Sequence, residues 1–282
     1  MPAAAQLVAA VSSASTEAGV EAVSAASAAV PRTGFSLILG WLEFFVTVPM
    51  VYIAVAFCLV AIAVRMAKVA RAPAPFQLAV YPETRHTVLA TLGDALGMRQ
   101  VRKRRPVFWL FLATFHVGLI LLFLGYVDIL PQVNIVSADS KDMLGAGAVG
   151  FMVTVPAFYF LLRRFKGMNR MISVPSDYLL LLLVIFLFLL GDLMSWGNSW
   201  TANGFVMTKA DFAQYFYGLS RFTFADPREV LHGSHYHFVV LHVLLANIFL
   251  MILPFTKIAH AFFSIPLNAV RRTVWTTRRN RT

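Results

Sequence analysis

The stretch "LHVLLANIFLMILPFTKIAH", residues 241–260, carries no formal charge before Lys257, yet it places histidines at its second and last positions. As a helix, a run of this length rises ~30 Å, the thickness of the hydrocarbon core of a bilayer. A soluble domain has no use for such a segment, so this stretch decides the fold class: an all-α integral membrane bundle. Four more stretches of the same character bring the expectation to five transmembrane helices, over Leu37–Val64, Val107–Ile129, Met143–Leu162, Tyr178–Trp196 and Phe238–Ala261. Trp41 and Trp196 suit the outer interface and Trp109 the inner one.

Bulk composition agrees with this reading. The chain is 59% hydrophobic and 13% charged, with a mean hydropathy of +0.72, outside the balance of soluble globular domains. Its net charge of +11 would suit nucleic acid if the basic residues formed one groove, but they flank alternate ends of the apolar stretches. Arg65, Lys68 and Arg71 begin a basic connection that runs to Arg105. Arg163, Arg164, Lys166 and Arg170 join the third and fourth stretches, and Arg271, Arg272, Arg278, Arg279 and Arg281 follow the fifth. The opposite ends carry only Arg32, Lys141, Lys209, Arg221 and Arg228. The positive-inside rule then sets the N-terminus outside and the C-terminus in the cytoplasm of a multi-pass plasma (inner) membrane protein, with no nucleic-acid partner.

Three segments are expected. Residues 1–34 form an Ala- and Ser-rich extension without the basic start of a signal peptide, read as disordered; residues 35–265 form the membrane domain; residues 266–282 form a basic cytoplasmic tail. In the outer connection Gly197–His237, the residues Tyr215, Phe216, Tyr217 and Phe222 point to a short amphipathic element lying on the membrane surface. Pro49 and Pro254 each remove a backbone hydrogen bond within a span and permit a kink.

An ionisable group inside a span is costly, which makes the intramembrane histidines functional candidates. His116 lies near the middle of the second stretch, His242 near the outer end of the fifth and His260 near its inner end. His242 and His260, five helical turns apart, are expected on one face of the fifth helix, ~27 Å apart along its axis, with Ala246 and Phe249 between them. That arrangement suits a column of flat cofactors. Haem b fits best, since it needs no covalent attachment and two helices can each offer an imidazole. With a single cysteine, Cys58, no cysteine-ligated cluster can form, and a tetrahedral zinc site lacks ligands. The bland alternative, interior histidines bonded to backbone carbonyls, stays open at this point. "GAGAVG", residues 145–150, matches a dinucleotide-binding string, but no strand precedes it, and close packing of small residues explains it.

"FHVGLILLFLGY" (residues 115–126) and the opening stretch resemble the second and fifth helices of the cytochrome b (gamma) subunit of respiratory nitrate reductases. They equally resemble a relative, the DsrM-type cytochrome b of the membrane complex that accompanies dissimilatory sulfite reductase. "ISVPSDYLLLLL" (residues 172–183) and "ARAPAPF" (residues 70–76) look closer to this second branch. The resemblance spans residues 37–272. It implies a haem b on the cytoplasmic side held by His116 and His260, and an outer haem held by His242 and a histidine ten residues after His116. Tyr126 occupies that last position, which leaves a second haem open.

The resemblance further implies a (mena)quinone or quinol site, with Lys141 as its lysine and Tyr126 as a possible hydrogen-bond donor. Lys257, one turn before His260, could be the counter-ion of a haem propionate or a plain inward-snorkelling anchor. Glu43 and Asp192 could take quinol protons or could simply be hydrated at the interface. The implied function is electron transfer between quinone and a cytoplasmic iron–sulfur subunit docked on the basic loops, with further membrane or outer-side subunits in the complex. Two other readings are a haem-free membrane anchor and a proton-coupled transporter; the sequence has no inverted repeat to support the transporter.

Overall fold

A computed structural model of the protein describes residues 34–71, 93, 97–128, 147–200, 209–229, 235–260 and 262–264. The described residues form α1 (Gly34–Thr47), α2 (Pro49–Arg71), α3 (Arg99–Arg104), α4 (Pro106–Asp128), α5 (Ala148–Arg164), α6 (Gly167–Ile172), α7 (Pro175–Trp200), α8 (Lys209–Ser220) and α9 (Tyr236–Ile252). Three single turns of 3₁₀ helix, Pro227–Glu229, Leu253–Phe255 and Lys257–Ala259, complete the set. The chain falls into two compact units, Met1–Glu43 and Phe44–Thr282. Only the leading turns of α1 are described in the first; the second holds everything from α2 onward.

Four segments are long and apolar enough to cross a bilayer: Leu37–Val69, Pro106–Asp128, Pro175–Gly197 and Tyr236–Phe255. The protein is therefore an all-helical, multi-pass membrane protein. The third expected span is not among the four. Its described part is α5, whose 17 residues rise ~26 Å, just short of the hydrocarbon thickness. The extension 1–33, residues 129–146 and the tail from residue 265 lie outside the described residues.

The helices of the second unit pack in a series, α4 on α5, α5 on α7, α7 on α9 and α9 on α2. Small residues set the closest approaches. A β-carbon on Gly118 of α4 would stand 2.8 Å from Cγ1 of Val153 on α5, and one on Gly150 of α5 would overlap the Asp192 carboxylate of α7. Asp192 is buried and accepts a hydrogen bond of 2.7 Å from Thr154 Oγ1. That contact ties α5 to α7 through a polar pair that an apolar medium strengthens. Of the "GAGAVG" string, Gly150 is thus a close-packing position.

Two breaks interrupt the spans, each at a proline. Between α1 and α2 the helix yields at Val48, since Pro49 has no N–H to continue the ladder. The carbonyls beside this break do not go unpaired: Val46 O accepts from Asn247 Nδ2 of α9 at 2.9 Å and Thr47 O accepts from the Tyr215 hydroxyl of α8. Tyr52 donates to Leu219 O at 2.8 Å and stacks on Phe222 with ring centres 5.0 Å apart. The aromatic residues expected to lie on the membrane surface therefore do something else in part. Helix α8 exists where an amphipathic element was expected, but Tyr215 is buried against α1, and its phenol is pushed above its ordinary pKa by that burial.

The second break overturns the continuous fifth helix. Helix α9 stops at Ile252, and the chain reaches His260 through the 3₁₀ turns 253–255 and 257–259, with Thr256 extended between them. His242 and His260 are therefore not joined by five α-helical turns. Pro254 cannot donate to the carbonyl of Leu250, and Thr256 Oγ1 accepts from Ile258 N, starting a new turn in place of the old helix.

Two outcomes follow from this packing. Gly150→Val should destabilise the folded protein by about 1–3 kcal/mol through overpacking against Asp192, read as a lowered unfolding midpoint in detergent. Asn247→Leu should cost about 1–3 kcal/mol by stranding the Val46 carbonyl in an apolar interior, read in the same assay.

Candidate functional site

Helices α4 and α9 make no extended backbone contact with each other, yet each leads to a histidine that meets the other's. The rings of His116 and His260 stand with centres 6.2 Å apart and planes inclined at 65°. The sequence positions them from opposite directions. His116 rides the middle of α4, the least covered span, with 6% of its apolar window buried against 22–28% in the other three. His260 follows the second 3₁₀ turn, past the Pro254 break.

Both rings are oriented in the same way. His116 Nδ1 lies 2.7 Å from Leu112 O, and His260 Nδ1 lies 2.7 Å from Lys257 O. A carbonyl can only accept, so Nδ1 donates in both rings, and in a neutral ring that leaves the lone pair on Nε2. This is the tautomer a metal requires, and a backbone carbonyl on the far nitrogen is the usual support of a ligating histidine. Phe115 stands edge-on beside His116, with ring centres 5.8 Å apart.

At 6.2 Å the ring centres are wider apart than the ~5 Å of two imidazoles joined by a direct N–H···N bond. Among the described residues no group of three or more His, Cys, Asp or Glu side chains converges.

The other expected residues are not drawn into this pair. His242, on α9, has its ring against α7, facing the Leu187 carbonyl and 3.5 Å from where a β-carbon of Gly191 would stand. Its Nδ1 is buried with no hydrogen-bond partner. Such an orphan nitrogen is costly. Tyr126, at the far end of α4, is 42% exposed and rests against Phe216 of α8 with ring centres 6.2 Å apart. Lys141 and His232 lie outside the described residues. His235 stacks on Phe238 just before α9, and His237 is exposed.

Glu43 is buried. So is Asp192, which departs from a hydrated interfacial carboxylate through its bond to Thr154. Lys257 is committed: its Nζ donates to Asp177 Oδ2 at 2.8 Å.

Two residues that sequence reasoning passed over stand behind His260. Asp177, in the first turn of α7, is buried, with 5% of its side chain exposed, and accepts from Arg164 Nη1 at 2.9 Å as well as from Lys257. Arg65 of α2 donates to the Pro254 carbonyl at the break. The available signal for Asp177 was its place beside Pro175 at a helix start, where an acidic residue meets unpaired N–H groups. That signal explains a cap and says nothing of a partner eighty residues away.

Residues 100–280 match the model of the nitrate reductase gamma subunit family. A comparison with the curated proteins yields no match. The matched segment begins at α3 and takes in α4, α9 and both histidines of the close pair, leaving α1 and α2 outside it. Since it covers well over half of the chain, the protein belongs to the nitrate reductase gamma subunit family.

Proposed function

We propose that this chain is the haem b membrane subunit of an anaerobic respiratory complex, carrying electrons between the (mena)quinone pool and a cytoplasmic iron–sulfur subunit. The observation that carries the reading is the approach of His116 and His260 to 6.2 Å from helices that are otherwise apart. On this reading His116 and His260 hold the inner haem. When bound there, the haem supplies a one-electron carrier within the span. The protein's own residues hold each imidazole in one orientation through the Leu112 and Lys257 carbonyls.

His242 keeps one of the two ligand positions expected at the outer site. Tyr126 leaves that site with a single histidine. Lys141 is assigned to the quinone headgroup. The stretch Ala148–Arg164, with residues before it, completes a fifth crossing, with the N-terminus outside and the C-terminus in the cytoplasm. The basic connections Arg99–Arg105 and Arg163–Arg170 form the docking face for an acidic iron–sulfur partner.

Within the family, the sulfite-reductase-associated branch is supported by the stretches at residues 172–183 and 70–76. The gamma subunit of a respiratory nitrate reductase is the second reading, and the family match favours it. The subunits that co-purify with the chain separate the two.

His116→Ala and His260→Ala should each abolish the low-spin b-type absorption of the membrane-extracted protein. Retention of the full pigment by either variant would sink the electron-carrier reading. Tyr126→His should raise haem from about one to about two per chain by completing an outer pair with His242, measured as pyridine haemochrome against protein.

A further inference from the structure

The histidine beyond the Pro254 break has no continuous helix to hold it. Its ring is aimed by a single contact, Nδ1–H to the Lys257 carbonyl at 2.7 Å, so its orientation is that of the short turn Lys257–Ala259. This turn has anchors on two sides. Arg65 of α2 grips the Pro254 carbonyl, and Lys257 Nζ reaches Asp177 Oδ2 at 2.8 Å on α7.

Asp177 is suited to serve as the fixed end of that tether. Its carboxylate is buried while Lys257 is 67% exposed, so the aspartate is the rigid partner and the lysine the flexible one. Its Oδ2 also accepts from Arg164 Nη1 at 2.9 Å and from Val174 N at 3.4 Å. Arg164 is held in turn, since its carbonyl accepts from the Tyr178 hydroxyl at 2.9 Å and its guanidinium donates to Ser173 Oγ at 3.0 Å. Two cations sharing one buried carboxylate join the ends of α5 and α7 to the His260 turn. A lone solvent-facing lysine needs no such arrangement, and a lone helix cap needs only the Val174 contact.

We infer that Asp177 is a positioning residue for His260, acting through Lys257 to set the angle at which that imidazole is presented opposite His116. The inference rests on the proposed sharing of one haem iron by these two histidines. Asp177 touches neither the cofactor nor the reacting atoms. Its charge holds the turn, and the Lys257 carbonyl on that turn holds the ring. The sequence places Asp177 and Lys257 80 residues apart, so the coupling is tertiary.

The test is made on the full chain in its native membrane complex, with low-spin electron paramagnetic resonance and transfer of haem to apomyoglobin as readouts. The resonance anisotropy reports the angle between two axial imidazole planes, which a loss of stability elsewhere does not move. Asp177→Asn keeps the side chain's shape and removes the charge. It should shift the low-spin signal and speed haem loss several-fold. Lys257→Ala, at an exposed position where folding does not depend on the side chain, should produce the same shift. The double variant should be no worse than the more severe single one, because both cut the same link, and Asp177→Glu should restore the original signal. An unchanged signal and unchanged haem loss in both Asp177→Asn and Lys257→Ala would overturn the inference even with His260→Ala devoid of haem. A low-spin signal surviving in His260→Ala would instead remove the reading beneath it.

Discussion

An apolar medium offers no water to a backbone group that has lost its helical partner, and this constraint governs both broken helices of the protein. At Val48 the freed carbonyls are taken by Asn247 from α9 and Tyr215 from α8. At Pro254 the carbonyl is taken by the guanidinium of Arg65 from α2. In each case the repair comes from a distant part of the chain, so a defect in one helix becomes a contact between elements. Helix α9 participates at both ends: it repairs the break between α1 and α2, and its own end is repaired by α2. The close packing of α9 on α2 thus has polar causes as well as apolar ones.

The breaks also decide where the histidines lie. A continuous fifth helix would carry His260 along the α9 axis and present its ring in phase with His242. Terminating α9 at Ile252 and resuming in 3₁₀ turns frees the segment to swing His260 toward α4, with a local carbonyl available for its Nδ1. His116 needs no such device, because within α4 the carbonyl four residues earlier is already in reach. One ring of the pair is aimed by helix geometry alone; the other depends on side chains from α2 and α7.

Much of the architecture was legible in the sequence because length and hydrophobicity are local properties. Apolar runs of about twenty residues found the four long spans, and Pro49 marked the α1–α2 break to within a residue. Gly150 of "GAGAVG" read correctly as a packing position, though not that it would face a buried carboxylate. The end of α9 was less accessible. A proline in a membrane helix can bend it or end it, and what decides here is whether a nearby guanidinium and a threonine cap stabilise the open form. The pairing of His116 with His260 came from resemblance to a family; no spacing rule joins residues on different helices. Nothing in the sequence pointed to the ion pair of Lys257 with Asp177, which sits 80 residues earlier on another helix.

Asp177 also bears on the charge balance of the inner end. The positive-inside rule explains Arg65, Arg164 and Lys257 as topological markers, and a marker needs only to reach water. Arg164 and Lys257 instead share a buried carboxylate, and Arg65 is spent on a backbone carbonyl. Burying a carboxylate is costly, and two cations offset that cost only where the geometry is held. The residues that the positive-inside rule would count as orientation signals thereby also hold the segment carrying His260, so moving one of these cations elsewhere would keep the charge count and lose the contact.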